Sequence, residues 1–204
     1  MRRQPASLIG VVFFVTILAS RLLGKSAPDS KASGSKVLAF YTKHHGAMVA
    51  SAALVVIAVV TGVIFFGLLR DYLRRDRGLW GLTATGFGGA LVFLCGAIVV
   101  AGATVAMTDR TSHLPPATAR TLNLIRWDLQ GTFLAAGAGV MFLCFGLAIV
   151  RSELLPRWLG LLAFPIAVVA VIPQLSTAIA AVAALWTLSV SIAMFLASAE
   201  GRAA

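Results

Sequence analysis

Uninterrupted apolar runs constrain this chain more than any other feature. Residues 47–69, AMVASAALVVIAVVTGVIFFGLL, contain no charged side chain, and neither do residues 81–106. A helix rises 1.5 Å per residue, so about 20 apolar residues cross the roughly 30 Å hydrocarbon core of a bilayer. In that core a helix satisfies its own backbone N–H and C=O groups without water. The rest of the chain agrees. Of its 204 residues 59% are hydrophobic and only 12% charged. That is about half the charge of a soluble domain, too little polar surface to cover a globule in water.

Six such runs can be read, at roughly 6–23, 47–69, 81–106, 131–150, 158–175 and 177–197. The expected fold is all-α: a polytopic transmembrane helical bundle of six spans in one membrane domain, multi-pass in the cell (plasma) membrane. The start, MRR followed by SLIGVVFFVTILAS, also has the layout of a secretory signal. Ile17 stands where cleavage prefers a small residue, so an uncleaved first helix is expected.

Basic residues set the orientation. With the N-terminus inside, Arg2, Arg3, Arg70, Arg74, Arg75, Arg77, Arg151, Arg157 and Arg202 fall in short inner segments. Arg21, Lys25, Lys31, Lys36, Lys43, Arg110, Arg120 and Arg126 fall in longer outer ones, at roughly half the density. The expectation is N-in and C-in. Residues 24–36, rich in Ser, Gly, Ala and Lys, read as a flexible outer loop. Residues 107–130 read as an outer loop with an interfacial helix. Pro115 and Pro116 open it, Leu122, Ile125 and Leu129 form an apolar stripe, and Arg120, Asn123 and Arg126 lie off that stripe. A very short connection around Pro173–Ser176 joins the last two spans.

The net charge of +10 points to lipid phosphates rather than nucleic acid, because the basic residues flank apolar runs and no aromatic–basic interleaving accompanies them. Arg70, Arg74, Arg75 and Arg77 in RDYLRRDRG are the expected headgroup contacts. Small residues spaced by four, Gly81, Thr85 and Gly89 in the third run and Gly131, Ala135 and Gly139 in the fourth, predict close packing of those two helices or a homodimer face. Cys95 and Cys144 sit at depths differing by roughly 12 Å, beyond disulfide reach, and read as packing residues. FFGLLRDYLRRDRGLWGL and CFGLAIVRSELLPRWLGL share FGL, Arg, Trp, Gly and Leu across a turn. Duplication and common turn chemistry explain that equally well.

Three stretches taken in order resemble a family. VLAFYTKHHGAMVASAALVVIAVV precedes a second span, PPATARTLNLIRWDLQG precedes a fourth, and ELLPRWLGLLAFPIAVVAVI opens the final hairpin. This order resembles small actinobacterial integral membrane proteins catalogued only as a domain of unknown function. The resemblance covers residues 36–197 and its motifs are mostly helix-end chemistry. It implies fold and membrane location, and no activity.

Candidate chemistry is sparse. No Asp, Glu, Lys, Arg or His lies centrally in any run, which argues against proton relays and ion-coupled pumps. Central hydroxyls such as Ser51, Thr61, Thr85 and Ser189 can bond the preceding turn. Polar groups gather at the expected outer face: Tyr41, His44, His45, Asp109, His113, Arg126, Asp128, Gln130 and Gln174. His44 and His45 are about 100° apart on a helix, so a zinc site would need one of them with His113 and Asp128 or Asp109. Interfacial polar residues are the expected reading, with no cofactor. Asp128 reads as a carboxylate near a helix start and Trp127 as an aromatic-belt anchor. Three functions remain: a non-enzymatic accessory or interaction protein, with the bilayer and a protein partner or second copy as partners; a permease or carrier for a small lipophilic or uncharged molecule, with a cavity between helices; and an outer-face metal-dependent enzyme.

Overall fold

A computed structural model describes residues 8–170, 172 and 176–200. Its described residues form seven α-helices: α1 Ile9–Leu23, α2 Gly34–Lys43, α3 His45–Leu73, α4 Trp80–Asp109, α5 Pro116–Arg151, α6 Arg157–Ala170 and α7 Ser176–Glu200. Three of them, α3, α4 and α5, are long and apolar enough to cross a membrane. Their outward faces are apolar as well. Val56, Ile57, Val60 and Ile64 on α3, Val92, Ile98 and Val99 on α4, and Phe133, Val140 and Leu143 on α5 are all exposed. Exposed apolar area on this scale needs a non-aqueous surrounding, so the make-up is that of a multi-pass membrane protein. The expected start of the first run, its signal-like MRR, and the 173–175 connection with Gln174 lie outside the described residues.

The helices pack in a ring. α1 lies on α3 and α7, α3 on α4, α4 on α5, and α5 on α6, with α2 laid across α5 at one end. The α4–α5 pairing is the most extensive. Its closest approaches fall at Gly86, Gly89 and Gly96 on α4 and Gly137 on α5. A Cβ on Gly137 would lie 2.3 Å from the Phe93 backbone nitrogen, and one on Gly89 2.6 Å from that of Met141. The pairing predicted from small residues therefore forms, but on a different face. Gly81 has open space around it and Thr85 is exposed. Gly86, Gly89, Phe93 and Gly96 share the face turned to α5, and Gly89 alone belongs to both sets. Gly131 and Ala135 are buried and Gly139 is half-buried.

At one end, the α3–α4 and α5–α6 turns meet, and the Tyr72 hydroxyl donates to the Leu154 carbonyl at 3.2 Å. Above these turns an aromatic chain fills the axis. Phe13 meets Phe66 edge-on at 6.1 Å, Phe66 stacks on Phe145 at 6.1 Å, and Phe142 meets Trp186 edge-on at 5.2 Å. The Trp186 indole N–H donates to Leu159 O at 3.0 Å, so the one polar atom of that ring is satisfied. The two FGL-containing turns are not packed alike. Gly146 and Gly160 bring α5 against α6, a Cβ on Gly160 falling 2.6 Å from Gly146 O, while their counterparts Gly67 and Gly81 meet little.

The arginines at this end hold each other's neighbours rather than one another. Arg75 lies over the Tyr72 ring at 4.9 Å, Arg70 over Phe87 at 5.8 Å, and Arg74 reaches Asp71 at 3.9 Å. Arg77 stands in a short 3-10 turn, Arg77–Leu79, capped by the Asp76 side chain.

Candidate functional site

The other end is hollow. A cavity of about 460 Å³ lies between α1, α3, α4 and α5, under the irregular segment of residues 24–27 that leaves α1. Its size is that of a small-molecule site. Its floor is Phe13, the last ring of the aromatic chain, with Phe93 and Leu94. Its walls narrow to small residues, Ser51, Ala52, Ala97 and Ala101, which is why the space exists: helices spaced by Phe and Leu below leave room wherever the inward residue is Ala or Ser.

Three sets of contacts fix the walls. The Ser20 and Ser51 hydroxyls lie 3.0 Å apart, and each also donates to the other residue's carbonyl, Ser51 at 3.0 Å and Ser20 at 3.1 Å, which joins α1 to α3. Across the cavity, the Asn123 amide donates to Asp29 O at 3.0 Å and the Trp127 indole N–H to Pro28 O at 2.9 Å. These bonds draw the 24–33 segment over α5. Residues 24–36, read from composition as a flexible loop, thus carry the cavity's roof, and their last three residues begin α2. Gly34 permits that seat, because a Cβ there would run into the Pro116 carbonyl.

Arg126 is the dominant polar group. It lines the cavity, is 6% exposed, and its Nε and Nη2 have no hydrogen-bond partner. Among the described residues no carboxylate lies within 4.0 Å of it; the described ion pairs are His45–Asp109, Arg74–Asp71 and Arg157–Glu153. Its cation rests 5.3 Å from the adjacent Trp127 ring. The Tyr41 phenol interacts with it electrostatically, and burial pushes that phenol above its ordinary pKa, outweighing the opposing pull of Arg126. Tyr41 therefore stays neutral and supplies no counter-charge. Its hydroxyl, fully buried beside Thr104, makes no regular hydrogen bond; Thr104 gives its own proton to Val100 O at 2.9 Å.

Residues 120–130 belong to the continuous helix α5. α5 buries Asn123 and Arg126 and exposes Ile125. In a membrane protein polar groups turn inward and apolar ones outward, the reverse of the rule for a helix lying at an aqueous surface. The helix-start reading of Asp128 fails. α5 runs unbroken from Pro116, so Asp128 lies more than three turns in, beyond the reach of the terminal dipole; it is exposed.

The histidines do not converge. His45 Nε2 lies 3.4 Å from Asp109 Oδ1, both about half exposed. His44 packs its ring against Phe40 at 4.9 Å and ends α2. His113 is exposed in the α4–α5 turn. Among the described residues no three His, Cys, Asp or Glu side chains are grouped to hold a metal. Cys95 and Cys144 are both free thiols. The hydroxyls of Thr61 and Ser189 do bond the preceding turn, at 2.9 and 3.0 Å; Ser51 instead bonds across to α1.

Arg126 was visible in the sequence as one of the outer polar residues that could hold a ligand, together with Asp128, which the structure leaves exposed. What marks Arg126 is burial without a counter-ion, which depends on where α2 and the 24–29 segment fold over α5. No protein-family model, curated protein or solved structure matches the chain.

Proposed function

We propose that this chain is a non-enzymatic membrane protein that holds one small lipophilic molecule in the cavity between α1, α3, α4 and α5. The cavity itself carries the reading. It is enclosed by four helices, apolar over most of its wall, and rimmed by exposed Lys25 and Ser26, which gives a route in from one end. This favours the carrier reading of the sequence over the accessory-protein reading, which has no particular surface to point to. Among the described residues, an outer-face metal enzyme finds no converging ligand set. In this reading all six apolar runs cross the cell membrane with both termini inside, and the α2 end faces out, as the arginine density suggests; the likeness to actinobacterial membrane proteins is consistent with that placement. The apolar belt meets lipid, and the arginines of 70–77 meet headgroups.

The test is purification in mild detergent from native membranes, followed by mass spectrometry of the extracted small molecules. One lipophile in about stoichiometric amount is expected with the wild type and none with Ala101→Phe, which places a ring in the cavity. A wild-type protein that neither retains nor takes up a lipophile would sink the reading.

A further inference from the structure

A buried guanidinium with no counter-ion is costly. Arginine does not shed its proton in proteins, and an uncompensated buried charge costs several kcal/mol. The ring of Trp127, 5.3 Å from the cation, offsets only part of that. The neighbouring polar groups do not supply the missing charge. Tyr41 offers a second hydrogen-bond donor, not an anion. The charged residues lining the cavity are Arg126, Arg21 and Lys25, all basic. Below them the lining is mostly apolar, with Gln130 and Ser51 among its polar groups, down to Phe13 and Phe93. Arg126 therefore stands at the head of a largely apolar pit that is positive at one end only, with its Nε and Nη2 buried and without a hydrogen-bond partner.

That arrangement has one chemical complement, and we infer that the cavity's occupant is an anionic amphiphile, a single acyl chain with its carboxylate or phosphate on Arg126 and its tail running down toward Phe13. The inference rests on the lipophile-binding reading above and adds the headgroup. A guanidinium presents a planar pair of donors that matches the two oxygens of a carboxylate or phosphate. Such a bond between ionised partners, out of water, is stronger than the neutral bond an alcohol could form there. Arg21 and Lys25, exposed at the rim, steer an anion toward the entrance. The head chemistry is shared by a free fatty acid and by a phosphate-bearing lipid drawn from the bilayer.

The two sources, and the inference itself, are separated by ligands that differ only in the head. The full-length protein in phosphatidylcholine nanodiscs is titrated with radiolabelled hexadecanoate, hexadecyl phosphate and hexadecanol at alkaline pH. At least one anion is expected to bind about tenfold or more tighter than hexadecanol, and which anion leads names the source. Arg126→Gln is expected to lose that preference while hexadecanol binding is unchanged, which also reports that the variant is folded. Should Arg126→Gln fail to fold, Arg126→Lys keeps the charge without the paired donors, and a reduced but surviving preference is expected. Ala101→Phe is expected to lose all three ligands. Hexadecanol binding as tightly as both anions to the wild type overturns the inference and leaves the cavity reading standing. Binding of none of the three overturns both.

Discussion

The two ends of this bundle are made from the same helices and packed to opposite effect. Toward the turns, α3 and α5 direct Phe65, Phe66, Phe142 and Phe145 inward, all fully buried, and the axis is filled. Toward α2 the inward residues are Ser51, Ala52, Ala97 and Ala101, and about 460 Å³ stays open. The polar groups differ in the same way. At the packed end Trp186 and Tyr72 each find a carbonyl, and Arg70 Nε alone of the described buried side-chain atoms there has no partner. At the hollow end Arg126, Tyr41 and the Asn123 carbonyl oxygen are buried without regular partners. Hydropathy does not distinguish the ends; side-chain size does. In lipid, where helices gain little by hiding apolar surface, contact between close-packed atoms holds them together, so a stretch of small inward residues is either a tight seam or a hole. α4 shows both: Gly86, Gly89 and Gly96 make the seam on α5, and Ala97 and Ala101 make the hole.

Breaking the seam should have the largest effect. Gly137→Leu has no room, since even a Cβ meets the Phe93 backbone, and a rigid backbone cannot yield as a side-chain tip can. Loss of monodisperse protein in gel filtration is expected. Next comes the packed end. Phe145→Ala should cost about 3–5 kcal/mol in a soluble core, and the low end of that range is expected here because the separated helix stays in lipid. Its counterpart at the hollow end, Ala101→Leu, should be near neutral in the same thermal unfolding assay. Equal losses at both sites would erase the contrast between the ends.

Arg126→Met tests the hollow end with the sign reversed. In protein stripped of small molecules it should raise stability, by roughly 1–4 kcal/mol if removing a buried charge resembles replacing other buried ionic groups. A lower melting temperature in stripped protein would mean that Arg126 is already well compensated by the chain. Trp127→Phe removes one bond from the roof and should cost about 1 kcal/mol. Hydrogen exchange at residues 26–30 should rise more than at the Ser20–Ser51 contact. Smallest of all, Tyr41→Phe should change stability by less than about 0.5 kcal/mol, because its hydroxyl has no regular partner to lose.

Most of the helical framework could be read directly. The uncharged runs at 47–69, 81–106 and 131–150 all lie inside α3, α4 and α5, because a run that long in lipid has few alternatives to a helix. The readings that failed concern rotation about a helix axis. Leu122, Ile125 and Leu129 share a period but meet different surroundings: Leu122 packs against the cluster of Val37 and Tyr41, while Ile125 is exposed. Spacing by four found Gly89 and missed Gly86, Gly96 and Gly137 for a related reason: small residues occur all around these helices, and only the partner's position selects a face.

The amino-acid order alone determined an all-α membrane protein, its charge-poor interior, and the gathering of polar residues toward one end. Those follow from composition and run length, which act locally along the chain. Tertiary structure alone decided that Arg126 is buried, that no carboxylate among the described residues reaches it, and that a cavity opens beneath it. Burial and pairing depend on which helices approach one another and at what rotation, and here that was settled by the glycine seam of α4 on α5 and by the 24–29 segment bonded across α5.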